Sequence, residues 1–115
     1  MKGTDTMNII KSYGWNSKNS FNASTTSKGL SEIKGQTITV IASAMAEELS
    51  EEGIMQSVGY IVDEHNTIYG TISRTATKAI DSLVDLMSDT KGPVQITIIP
   101  GKSKNGREYL TLALV

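Results

Sequence analysis

The fold is decided by residues 67–99, TIYGTISRTATKAIDSLVDLMSDTKGPVQITII. The spacing of the apolar residues in this stretch changes from that of a strand to that of a helix and then back again. Residues 67–73 are rich in β-branched side chains and predict a strand. β-branched residues return at 94–99 and predict a second strand. Between these two stretches the apolar positions recur three and four residues apart, as on one face of an amphipathic helix: Ala76, Ala79, Ile80, Leu83, Val84 and Met87.

Three more strands are predicted outside this stretch, at 36–43, 57–64 and 107–115. Residues 44–52 are expected to form a loop or a short helical turn. The resulting order, β-β-β-α-β-β with the helix between strands three and four, is that of the OB-fold, a five-stranded Greek-key barrel. Other α+β sheets share this order. The absence of βαβ alternation argues against a doubly wound parallel sheet, so we predict a mainly β OB-fold.

Residues 1–34 differ from the rest in composition and predict a flexible N-terminal arm before an OB-fold domain at 35–115. Thirteen of the first thirty residues are Ser, Thr or Asn, whose side chains compete with regular backbone structure. Ordering such a segment costs about 1–2 kcal/mol per residue, with little apolar area to offset it. The arm aromatics Tyr13, Trp15 and Phe21 either dock on the domain or contact DNA or a partner chain, and a homo-oligomer through the arm is one such contact.

Composition excludes several classes of protein. The chain has no Cys and one His, which removes disulfide frameworks, thiolate chemistry and multi-histidine metal sites. No apolar run is long enough to span a membrane and no signal peptide begins the chain, so we expect a soluble cytoplasmic protein. The formal net charge of −1 excludes a wholly basic nucleic-acid binder. It conceals net charges of +3, −7 and +3 in residues 1–34, 35–89 and 90–115.

The densest basic cluster consists of Lys102, Lys104 and Arg107, around the loop between the last two strands. In an OB-fold this loop borders the groove that receives oligonucleotides. Three cations in six residues can neutralise phosphates and release counterions. A solvated hairpin tip is the alternative interpretation of the same cluster.

Two strand tyrosines are candidates for stacking on bases, because side chains alternate along a strand. If Ile68 faces the core, Tyr69 and Thr71 face outward. Tyr109 is likewise out of phase with the leucines of the last strand, whereas Tyr60 is expected to be buried. A base stacked on an exposed tyrosine contributes about 1–3 kcal/mol. A cross-strand pair or an ordinary surface aromatic is the competing explanation for each tyrosine.

Enzyme signatures are missing. His65 is expected in a turn, and no nucleophile elbow, Walker loop or H-E-x-x-H motif occurs. We therefore expect no catalytic residue, no cofactor and no metal site. Four glutamates at 47, 48, 51 and 52 predict a solvated acidic loop. Because an acidic wall repels phosphate, this loop counts against a nucleic-acid groove unless its carboxylates point elsewhere.

Residues 36–115 resemble small OB-fold single-stranded-DNA-binding proteins of phages and conjugative elements of Gram-positive bacteria. The segments Tyr69–Ser73 and Gly101–Leu112, with the helix between them, carry the resemblance. It implies largely sequence-independent binding of single-stranded DNA during replication, recombination or transfer. By that analogy Tyr69 and Tyr109 stack on bases, and the basic cluster contacts the DNA backbone. The analogy does not separate DNA from RNA. The alternative function is a protein-interaction module that works through the arm or an edge strand.

Overall fold

The computed structural model describes residues 7–115, and this part of the chain is mainly β. It carries seven strands, two α-helices and one short 3-10 helix. In chain order the elements are β1 (Met7–Tyr13), α1 (Ser17–Thr26), β2 (Lys28–Gly29), the 3-10 helix (Leu30–Ile33), β3 (Thr37–Leu49), β4 (Met55–Asp63), β5 (Ile68–Thr71), α2 (Arg74–Thr90), β6 (Val94–Lys102) and β7 (Glu108–Leu114).

All seven strands belong to one curled sheet in the order β2-β5-β4-β3-β6-β7, with β1 also paired to β3. One edge of β3 pairs with β4 from Val40 to Leu49. The other edge is divided, because β6 pairs with residues 37–40 and β1 pairs with residues 43–48. The five predicted strands and their helix are therefore present, and the curled sheet is consistent with an OB-like fold.

The sheet remains open between β5 and β7. Within residues 7–115, these two strands stand apart in the sheet order and do not pair. The outer edge of β5 pairs instead in parallel with β2, Lys28 opposite Tyr69 and Gly29 opposite Gly70. This opening between the β2–β5 edge and β7 is called the seam below.

Strand β3 is longer than the sequence analysis predicted. Residues 44–49, expected to lie in a loop or a helical turn, continue the strand to Leu49. Alanine and glutamate have weak strand propensity, which favoured the loop. In the structure, pairing with β1 on one edge and β4 on the other overrides that local preference. The small side chains of Ala42 and Ala46 are buried, which lets other elements pack closely against β3.

Both faces of the sheet are covered, and each has its own apolar core. Helix α2 covers one face, as its amphipathic pattern predicts, and its core includes Val40, Ile61, Tyr69, Ile80, Met87, Ile96 and Ile98. Helix α1 and Trp15 cover the other face, whose core includes Ala23, Ala42, Ala46, Val58, Tyr60, Val62 and Ile68. The second core was not predicted, because part of it, including Ala23 and Trp15, comes from the polar N-terminal segment.

The N-terminal segment forms regular structure on the sheet where a flexible arm was expected. Asn16 and Asn19 make reciprocal caps at the start of α1, with backbone N–H to side-chain oxygen distances of 2.9 and 3.1 Å. These polar side chains therefore stabilise a helix end. Lys11 Nζ lies 2.7 Å from Asp85 Oδ1 and 3.2 Å from Asp81 Oδ1, which joins β1 to α2. Residues 1–6 of the expected arm lie outside the described residues.

Two aromatic residues of this segment allow a matched test of its packing. Trp15 packs on the second core, and its ring centroid lies 5.6 Å from that of Tyr60, whereas Phe21 is exposed. Trp15→Ala should lower the free energy of unfolding by about 3 kcal/mol, because large aromatic truncations leave cavities. Phe21→Ala should change it by less than about 0.5 kcal/mol. Urea denaturation followed by circular dichroism measures both, and equal effects would contradict this packing.

Candidate nucleic-acid interface

Tyr109 packs against Gly101 at the end of the β6–β7 ladder. The two residues are directly opposite each other in the antiparallel register. A Cβ atom at Gly101 would lie only 2.5 Å from Tyr109 Cζ, so the ring occupies the space that a side chain would fill. Tyr109 is 37% exposed, as expected for a residue that points away from the core. Tyr109 is thus held by one strand and remains accessible to a planar ligand.

Tyr109 also contributes to the lining of a cleft along the seam, which is called the seam cleft. It runs from the 3-10 helix to the ends of β6 and β7. Its cationic side chains are Lys34 and Lys102, and Glu108 is its carboxylate. The lining residues are Ser31, Lys34, Ser73, Pro100, Gly101, Lys102, Glu108, Tyr109 and Leu110.

Lys34 joins this cleft because the β3–β6 pairing continues backwards beyond β3. Gly35 N–H donates to the Ile98 carbonyl at 2.6 Å, and Ile98 N–H donates to the Gln36 carbonyl at 2.9 Å. This ladder places Lys34 beside Pro100, on the same rim as Lys102. The sequence analysis missed Lys34 as a site residue because it lay in the expected arm. The one feature of the sequence that pointed to Lys34 was its contribution to the net positive charge of residues 1–34.

The β6–β7 turn presents the remaining predicted cations. Ser103 and Arg107 close the turn, with Ser103 N–H donating to the Arg107 carbonyl at 2.9 Å. Gly106 has a φ of +79°, as the Asn-Gly pair predicts. Lys104 and Arg107 are exposed on this turn, and neither forms an ion pair with another described residue. The turn therefore extends the basic rim beyond Lys102.

Tyr69 does not lie where the sequence analysis expected it. Its side chain is 8% exposed and belongs to the α2-side core with Leu30 and Ile33. Ile68 faces the second core instead. Because both faces of β5 are covered, alternation could not show which residue was accessible. The prediction that Tyr69 points outward is wrong, and burial, with Asp63 and Glu32 nearby, raises its pKa.

Thr71 is half-buried in a second cleft, called the β5 cleft, on the other side of β2. Its Oγ1 accepts a hydrogen bond from Ser73 N–H at 3.1 Å. The cleft adds one cation, Lys28, and one strongly exposed apolar side chain, Ile72. Its lining consists of Ser27, Lys28, Gly29, Glu48, Gln56, Val58, Tyr60, Gly70, Thr71 and Ile72. Ser27–Gly29 and Gly70–Ile72 line the β5 cleft, and the residues that follow them in the chain, Ser31, Lys34 and Ser73, line the seam cleft.

The acidic residues of the β3–β4 hairpin lie mostly outside the two clefts. Glu51 and Glu52 occupy the exposed turn beyond β3. Glu48 lines the β5 cleft, and its carboxylate accepts a hydrogen bond from the Tyr60 hydroxyl. Of the four glutamates at 47, 48, 51 and 52, Glu48 alone lines the β5 cleft, and none of the four lines the seam cleft.

The three arm aromatics have different environments. Tyr13 is partly buried against the α2-side core, and Trp15 against the second core. Trp15 Nε1–H also donates to Ser20 Oγ at 2.8 Å. Phe21 projects from α1 into solvent. Local docking thus accounts for Tyr13 and Trp15 and leaves Phe21 available for a partner or DNA.

His65 lies in the exposed β4–β5 turn. Asp63 Oδ1 accepts hydrogen bonds from the backbone N–H groups of His65 and Thr67, each at 2.9 Å. Asp63 thus holds the turn, and Asn66 adopts a φ of +65° there. Across residues 7–115, no three metal-ligating side chains cluster together. Neither described helix is both long and apolar enough to cross a membrane.

Tyr60 makes folding sensitive to alkaline pH. Burial and the hydrogen bond to Glu48 raise its pKa far above the ordinary value of 10.0. Because the folded state resists deprotonation, its contribution to stability is complete below pH 10.0 and is lost as the pH rises above that value. As the pH rises from about 10 to about 12, the wild-type free energy of unfolding should fall more steeply than that of Tyr60→Phe. Equal slopes in urea denaturation would contradict this role.

The fold is thus a small, mainly β domain with two surface clefts, one of which is lined by the exposed Tyr109 and by Lys34. The family model described as phage single-stranded DNA-binding protein, of the Phi29 type, matches residues 4–115. The chain therefore belongs to this family of phage proteins, which confirms the resemblance carried by residues 69–73 and 101–112. No curated protein and no solved structure matches the chain.

Proposed function

We propose that this protein binds single-stranded DNA largely independently of sequence during phage DNA replication, without a catalytic step. The observation that carries the proposal is Tyr109, which packs over Gly101 and lines the seam cleft together with Lys34, while Lys102 lies on the same rim as Lys34. Membership in a family of phage single-stranded DNA-binding proteins supports the ligand class. The site of action is then the cytoplasm of the bacterial host, where phage DNA is copied.

Binding relies on stacking and on phosphate neutralisation. A base that stacks on Tyr109 needs no hydrogen bond to its edge, and every base has a π-face, so the contact tolerates any sequence. The ammonium groups of Lys34 and Lys102 neutralise phosphates on either side, and Lys104 and Arg107 extend this contact along the hairpin. A narrow basic surface of this kind is compatible with a net charge of −1.

An OB-like sheet fits this function. In OB-folds the loop between the last two strands borders the oligonucleotide groove, and here that loop is the basic turn 103–107. The DNA strand would follow the seam cleft and continue towards Thr71 in the β5 cleft. Tyr69 would support this wall from the core instead of touching DNA.

Fluorescence anisotropy with a labelled oligo-dT at two salt concentrations tests the proposal. We expect binding at low salt that weakens steeply with added salt. Unlabelled single-stranded DNA should displace the probe, and duplex DNA should do so poorly. An RNA competitor of the same sequence measures whether the 2′-OH is accepted. No binding at micromolar protein and low salt would refute the proposal.

A protein-interaction role through the N-terminal segment is the second candidate. Exposed Phe21 favours it, because a phenylalanine on a helix surface offers apolar contact area to another chain. Phe21→Ala should then weaken self-association or partner binding without changing the affinity for oligo-dT. If Phe21→Ala weakens oligo-dT binding instead, this residue contacts DNA.

A further inference from the structure

The outer edge of β7 lacks the features that usually prevent sheet edges from pairing with other chains. Its residues 110–115 carry no charge and no proline, and the pairing with β6 runs without a register shift. The other described edges are protected. Strand β1 has a register shift near Lys11, and β2 is two residues long.

The backbone polarity of this edge follows from the β6–β7 ladder. Val115 N–H donates to the Gln95 carbonyl at 3.2 Å. In an antiparallel pair the residues alternate between facing the partner strand and facing away. The N–H and C=O groups of Leu110, Leu112 and Leu114 therefore point to the outer edge, where they can pair with another strand.

An apolar groove runs beside the same edge, between β7 and α2. Leu83 and Leu86 of α2 contribute to one wall, and Leu112 and Leu114 of β7 contribute to the other. Leu114 is 60% exposed and Val115 is 76% exposed. Open backbone groups beside an apolar groove are the two elements that strand addition uses for affinity and specificity.

We propose that a second copy of this chain occupies the β7 edge as an antiparallel strand, with a two-fold axis at Ala113. The sequence Leu112-Ala113-Leu114 is symmetric about this axis, so Leu112 of each copy lies opposite Leu114 of the other. Both leucines have outward-facing backbone groups, which places them in hydrogen-bonded pairs and Ala113 in a non-hydrogen-bonded pair. The side chains of residues 110–115 carry no charge, so none of them repels its own copy across this register.

This register leaves the seam cleft free. The paired stretch is centred on Ala113, whereas Tyr109 and Lys102 lie at the other end of the β6–β7 ladder. The resulting dimer has one sheet continuous across both copies and one seam cleft on each. The proposal does not depend on DNA binding, because its evidence comes from the strand edge alone.

A cysteine placed on the two-fold axis provides the first test. The chain has no native cysteine, so Ala113→Cys introduces a single thiol. In a non-hydrogen-bonded pair the two Cα atoms are about 4.5 Å apart, within the range that a disulfide spans. Mild oxidation should convert Ala113→Cys to a covalent dimer much faster than Ile54→Cys, which carries its thiol on the exposed β3–β4 turn. Equal rates would overturn the proposal.

Light scattering after size exclusion is the second test, and it needs no cross-link. The wild-type chain should show a mass of twice 12.4 kDa that falls to the single mass on dilution. Leu114→Lys should be monomeric at every concentration, because a buried lysine ammonium opposes pairing, while Ile54→Lys should behave as the wild type does. A wild-type mass of 12.4 kDa throughout, or a doubled mass for Leu114→Lys, would overturn the proposal.

Discussion

Replacing Lys34 and Lys102 together with alanine should weaken oligo-dT binding by on the order of tenfold to a hundredfold at low salt. The two ammonium groups share the rim of the seam cleft, and Lys34 is held there by the backward continuation of the β3–β6 ladder. Each lost phosphate contact lowers the slope of log affinity against log salt by about 0.7. The double variant should therefore lose about 1.4 from that slope.

A matched control separates this local effect from the change in total charge. Lys78→Gln with Lys91→Asn removes the same number of charges from α2 and its C-terminus, away from both clefts. Asparagine tolerates the left-handed backbone that Lys91 adopts at φ +57°. Anisotropy titrations at several salt concentrations should give the control a slope close to that of the wild type. Equal losses in the two double variants would assign the effect to overall charge and remove the seam cleft from the interface.

Tyr109→Ala should have the next largest effect, a loss of about 1–3 kcal/mol in binding free energy from the missing stacked base. Tyr109→Phe keeps the ring and should bind within a factor of about two of the wild type. The slope of log affinity against log salt should not change in either variant, because neither substitution removes a charge. Wild-type affinity for Tyr109→Ala would show that the ring contacts no base.

Gly101→Val tests the same contact without altering the aromatic residue. Its Cβ would lie 2.5 Å from Tyr109 Cζ, so the ring must leave its position over the strand. We expect affinity to fall toward that of Tyr109→Ala. Tyr69→Leu is the opposite control, because it removes a ring that is buried in the α2-side core and should leave the oligo-dT affinity unchanged.

Local patterns were sufficient to predict the centre of this fold. The helical spacing between residues 75 and 89 identified α2, and Ala76, Ile80 and Met87 are all buried beneath it. The Asn105-Gly106 turn was predicted from its backbone preference, and Gly106 has the positive φ that this preference implies. Both signals are local, because a helix face and a tight turn depend on residues close together in the chain.

The N-terminal layer could not be predicted in the same way. Its apolar contribution comes from sparse residues such as Trp15 and Ala23, whose contacts are with distant strands. The N-terminal segment covers the second face of the sheet, and Ile68 is buried on that face. The sequence prediction assumed that this face was open to solvent, so the alternation of side chains wrongly placed Tyr69 on the surface. Lys34 entered the site through a ladder to Ile98, a contact far beyond any local period.

The open seam has a consequence for how a strand can enter. A ring-shaped channel would have to be threaded from a free end, whereas the seam cleft lies on the surface between strand edges that do not pair. On the proposed binding mode, DNA would be laid in sideways at any internal position. Circular and linear single strands of equal length should then bind with the same association rate. A covalent tether closed across β5 and β7 would slow the circular form alone.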